Sequence, residues 1–139
     1  MVDAMAAWTV EVRVAAALAA TGAWTVLVPF LGRALDLTVD VAFKVEVVDH
    51  VIPGAVTAIA AGLLLIIARR GPLAGNRIAL LTSGVCFLAG FWVLATHAPL
   101  VADAVGGDQP WDAAIWHSVA SLPLVGLSLW CVLRSTPPP

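Results

Sequence analysis

Charge is what this chain has least of. Of 139 residues, 7 are Lys or Arg and 9 are Asp or Glu, only 12% charged against 61% hydrophobic. The mean hydropathy is +0.99. A soluble domain of this composition would leave much of its apolar surface in water, so the balance argues for an integral membrane protein. The basic residues form no stripe and are not interleaved with aromatics, so nucleic acid is not expected as a partner. Cysteine is scarce as well. Cys86 and Cys131 both lie in apolar segments and form no C-x-x-C pair, which argues against a structural disulfide. Methionine occurs only twice, near the N-terminus, and tyrosine not at all.

What is present is apolar sequence in four blocks: Val14 to Leu31, Val51 to Ala68, Ile78 to Thr96 and Ile115 to Leu133. Each is close to the roughly 20 residues that cross a bilayer as a helix. They leave no room for a soluble domain, so residues 1–139 are read as one all-α transmembrane domain, a four-helix antiparallel bundle. The start, "MVDAMAAWTVEVR", lacks the basic region of a secretory signal and is kept as the approach to the first helix.

Arginine placement orients the bundle, because basic residues in short loops stay on the cytoplasmic side. Arg69, Arg70 and Arg77 bracket the turn "RRGPLAGNR", Arg134 follows the last segment and Arg13 precedes the first. The other side carries only Arg33 and Lys44, with Asp36, Asp40, Glu46, Asp49, Asp103, Asp108 and Asp112. Both termini are therefore expected in the cytoplasm, in a plasma or bacterial inner membrane, below an acidic outer face. Trp8, Trp111, Trp116 and Trp130 fall near helix ends, where indoles favour the headgroup region; Trp24 and Trp92 lie deeper and need packing roles. Glu11 and Arg13 sit at the cytoplasmic entrance and are expected to pair with each other.

One stretch breaks the apolar monotony. In "LDLTVDVAFKVEVVDHVIPG", apolar Leu35, Leu37, Val39, Val41, Phe43, Val45 and Val47 alternate with mostly polar residues, the period of a strand. The run is read as an extended or amphipathic outer loop, with Pro53 in the first turn of a helix that starts near His50 or Val51. The competing reading is one long helix with a proline kink. An extended run covers the mouth of the bundle or pairs with a second copy or a membrane-protein partner.

The helix faces bear on function. His50, Gly54, Thr57 and Ala61 follow at steps of three or four, as do Ser83, Cys86, Gly90, Val93 and His97, and His117, Ser121, Leu124, Ser128 and Cys131. Small and weakly polar residues line helix contacts in membranes, so the three stripes are expected to face inward. All three histidines then lie at the outer end. The segments "GAWTVLV" and "GFWVLAT", and His50 with His117, also hint at a duplicated hairpin.

Convergent neutral imidazoles are metal ligands. Three of them with one open position suit zinc or copper, and two opposed ones can carry a b-type haem. His50, His97 and His117 are the expected ligands, each ring oriented by a carboxylate or a backbone oxygen on its second nitrogen, with Glu46, Asp49 and Asp112, and nearby Asp103, as the candidate carboxylates. Size and helix count resemble those of small multidrug-resistance transporters. That family depends on a membrane-embedded glutamate in its first helix, and Glu11 beside Arg13 at the interface matches it poorly. Vitamin K epoxide reductase-like enzymes need a redox cysteine pair that is missing. The leading expectation is a metal or haem protein serving redox chemistry or metal handling, more a binding protein than an enzyme on its own. The alternatives are an accessory subunit of a larger membrane complex and a small oligomeric transporter.

Overall fold

The computed structural model describes residues 2–37 and 41–137, with side chains from Val10 onward. Among the described residues every regular element is helical: α1 (Val2–Ala34), α2 (Phe43–Glu46), a π-helical turn (Val47–Val51), α3 (Ile52–Arg70), α4 (Arg77–Gly106), α5 (Trp111–Ser118) and α6 (Ser121–Ser135). Four stretches are long and apolar enough to cross a membrane: Val10–Ala34, Phe43–Arg70, Arg77–Gly106 and Trp111–Ser135. Their outer faces suit lipid. Ile59, Leu81, Leu88 and Leu122 project outward, largely exposed.

The interior is built from the three small-residue stripes, every member of which is buried. Glycine sets how closely the helices approach. A Cβ on Gly22 of α1 would stand 2.6 Å from the backbone nitrogen of Ala58 on α3, and one on Gly90 of α4 would stand 3.0 Å from Leu124 of α6. The glycines that open "GAWTVLV" and "GFWVLAT" thus each bring two backbones into contact. Leu18, Leu64, Val93 and Leu124, all without exposure, fill the space between the helices.

Several local expectations need correction. The run from Phe43 to Val51 is helical, not extended, so the second long helix starts well before His50; Thr38, Val39 and Asp40 lie outside the described residues. Pro53 does stand in the first turn of α3, as expected, but it interrupts a longer helical stretch that is already under way at Phe43. It lacks the N–H that would bond the Asp49 carbonyl and its ring crowds that carbonyl, and the preceding turn is widened to π geometry. The fourth span is likewise two helices, parted at Val119–Ala120 ahead of Pro123, which cannot donate to the Val119 carbonyl.

A further correction concerns Glu11. It is 1% exposed and pairs not with Arg13 but with Arg134 of α6, whose Nε donates to its Oε1 at 2.8 Å. Its Oε2 accepts the backbone N–H of Leu73 at 2.9 Å. Gly75, at φ +72°, turns the chain there and donates to the Ser135 carbonyl, and Asn76 caps α4 by accepting from the N–H groups of Ile78 and Ala79. One end of the molecule therefore joins the start of α1, the α3–α4 turn and the end of α6.

The other end is held by aromatic contacts. Trp116 donates its indole N–H to the Val28 carbonyl and meets Trp24 edge to face at 5.4 Å, which is the packing role of Trp24. Phe43 meets Phe30 at 5.8 Å and lies 4.0 Å beneath the Arg33 guanidinium, tying α2 back to α1. Trp92 differs from its expected packing role, being half exposed along the α3–α4 groove. The Trp8 side chain lies outside the described residues.

Candidate metal centre

Three elements deliver one imidazole each to the same place: the π-helical turn brings His50, α4 brings His97 and α5 brings His117. The ring centroids of His50 and His97 are 4.4 Å apart, those of His50 and His117 5.2 Å, and those of His97 and His117 6.5 Å. All three residues are buried, at 1%, 4% and 1% exposure. One ring nitrogen from each lies within 4.8 Å of the other two, an arrangement that can hold a metal ion.

The hydrogen bonds assign the tautomers. His50 Nδ1 is 3.0 Å from the Glu46 carbonyl, His97 Nδ1 is 2.7 Å from the Val93 carbonyl and His117 Nε2 is 3.1 Å from the Leu37 carbonyl. A carbonyl oxygen only accepts, so each of these nitrogens carries the proton. In a neutral ring the other nitrogen is then a lone-pair acceptor: Nε2 of His50, Nε2 of His97 and Nδ1 of His117. Among the described residues, His50 Nε2 and His117 Nδ1 have no hydrogen-bond partner although both are buried. Buried polar atoms are normally satisfied, and an uncompensated one costs about 1–3 kcal/mol.

Local structure explains two of the three anchoring bonds. His50 and His97 each bond the carbonyl four residues earlier in their own helix, so their rings fold back along the helix surface. The third crosses the molecule, linking α5 to the segment after α1 over 80 positions. Of the two kinds of outer partner expected, a carboxylate or a backbone oxygen, the structure shows backbone carbonyls, for whose positions the sequence carries no residue-type signal.

The carboxylates instead line a cavity of about 290 Å³ over the triad. Its walls include Glu46, Asp49 and Asp103 together with His50, His97 and His117. Asp103 stands on α4, six residues past His97, because the helix continues through Pro99 to Gly106 where a loop was expected. Asp112 is placed differently. It is exposed at the start of α5, its Oδ1 accepts the N–H of Ala113 at 2.9 Å, and it does not line this cavity. Sequence reasoning passed over Glu11 as a buried group; its distant partners, Leu73 and Arg134, leave no local pattern. Comparison of the chain with protein-family models, with curated proteins and with solved structures finds no match.

Proposed function

We propose that this chain is an integral membrane protein whose four spanning helices form an antiparallel bundle, with both termini cytoplasmic, and that His50, His97 and His117 bind one zinc-like or copper-like ion near the outer face. The observation that carries this reading is the set of three buried imidazoles whose protonated nitrogens are already given to backbone carbonyls. Among the described residues two of the remaining lone pairs, on His50 Nε2 and His117 Nδ1, have nothing to accept from, and a cation shared with His97 would satisfy both at once. Ligating histidines are characteristically oriented by an oxygen acceptor on the second nitrogen.

The fit is reasonable in size. Nitrogens on a tetrahedral ion with bonds of about 2.05 Å are roughly 3.3 Å apart. From separations of up to 4.8 Å the rings need to draw in by a distance on the order of 1 Å, a matter of small side-chain rotations. Three imidazoles leave a fourth position, and the cavity on that side makes it accessible to water or a small ligand. A b-type haem fits less well, because the His50 ring stands between the other two where the porphyrin plane would need to pass.

Metal handling is the function this favours. Passage through the bundle is disfavoured, since Leu18, Leu64, Val93 and Leu124 fill the core below the triad. Elemental analysis of the protein purified in mild detergent tests the reading: about one equivalent of zinc or copper is expected, with no Soret band. The His50→Ala, His97→Ala and His117→Ala variants should each lose most of it, with little further loss on combination. A folded wild type that takes up no metal, or a triple variant that retains it, overturns the proposal.

A further inference from the structure

The three carboxylates over the triad differ in depth. Asp103 is exposed, Asp49 is half-buried and Glu46 is buried, and all three line the one cavity whose floor is the histidines. Among the described residues the ion pair of Arg134 with Glu11 is the only salt bridge, so no basic side chain there neutralises them. An acidic cluster alone is common on protein surfaces. Here it opens onto two buried ring nitrogens that have no partner among the described residues, His50 Nε2 and His117 Nδ1, whose lone pairs can take a cation and offer nothing to an anion.

We infer that Asp103, Asp49 and Glu46 form a graded entry station that captures a divalent cation from the outer aqueous side and passes it to the histidines, so that the centre exchanges its metal instead of holding it permanently. This rests on the metal reading above. The physical basis is focusing: like charges lining a cleft with low-dielectric walls raise the local concentration of a counter-ion and its on-rate, by 10- to 1,000-fold in favourable cases. The order of depth matters. A hydrated ion meets the exposed carboxylate first, sheds water against the half-buried one, and reaches the buried Glu46 beside His50, four residues away on the same helical stretch. The tightly filled core beneath the triad gives no competing route from the opposite end.

The test is the association rate of Co²⁺ with the full chain, stripped of metal by chelation and followed by the ligand-field absorption that appears on binding. In the wild type the rate should fall steeply as ionic strength rises. Asp49→Asn combined with Asp103→Asn should slow association at least tenfold at low salt and flatten the salt dependence. Glu46→Gln should slow it further. The final spectrum should stay that of a tri-imidazole ion, since no ligand has changed. Asp36→Asn, outside the cavity, should behave as wild type. Unchanged rates in the Asp49/Asp103 variant overturn the entry station while leaving the metal centre intact; an altered final spectrum overturns it too, by making a carboxylate a ligand. Failure of the wild type to bind Co²⁺ defeats the metal reading and this inference together.

Discussion

Replacing Glu11 tests how the bundle is closed at the end away from the histidines. Glu11→Ala removes two interactions of unequal worth. The Leu73 N–H, on a residue with no exposure, loses its acceptor and becomes a buried orphan donor, a cost of about 1–3 kcal/mol. The ion pair is worth less, because the Arg134 side chain is 45% exposed and solvent screens it, about 0–1 kcal/mol. Together these give a loss of about 1–4 kcal/mol. Glu11→Gln keeps an amide oxygen for the Leu73 N–H and gives up only the charge, so about 1 kcal/mol or less is expected. Reversible denaturation in mixed micelles, followed by tryptophan fluorescence, gives both values. Equal losses in the Ala and Gln variants would refute the reasoning, since they would mean that the charge, not the backbone acceptor, does the holding. Metal content should be unaffected by either, because the triad is at the opposite end.

Two further predictions follow from packing and charge. Gly22→Ala forces a methyl to within 2.6 Å of the Ala58 backbone and should cost roughly 1–3 kcal/mol, whereas Gly62→Ala, with nothing within 4 Å, should be neutral or slightly stabilising in the same denaturation assay; similar losses at both sites would show that the α1–α3 contact is not tight. For orientation, a cysteine placed at Ala74 should resist an impermeant thiol reagent in intact cells and one at Gly106 should react, and the reverse pattern would invert the bundle.

Much of the fold was legible in the sequence because four apolar blocks of about span length fold as four long apolar stretches of helix. The inward faces were legible too: small residues at helical spacing mark where helices touch, and His50, His97 and His117 each end such a stripe. The segment before His50 misled for a physical reason. Apolar–polar alternation signals a strand only where one face meets water and the other a core. Here Val45 and Val48 are exposed on the outer surface of a helix while Glu46 and His50 are buried, so apolar residues face outward and the alternation reported neither burial nor winding. The need to satisfy every backbone group locally favours the helix regardless. Beyond reach were the contacts that cross the chain. Leu37 with His117 and Glu11 with Leu73 join a side chain to a backbone atom, and the backbone partner can be any residue type.

The central claim is that three imidazoles, each anchored through its second nitrogen to a carbonyl, share one ion. X-ray absorption at the metal edge of the zinc- or copper-loaded protein measures this most directly. The account predicts about three imidazole nitrogens near 2.0–2.1 Å in the zinc form, with outer-shell scattering from the rings and no sulfur. A first shell holding a thiolate, or one with a single imidazole and otherwise only oxygen, would contradict it.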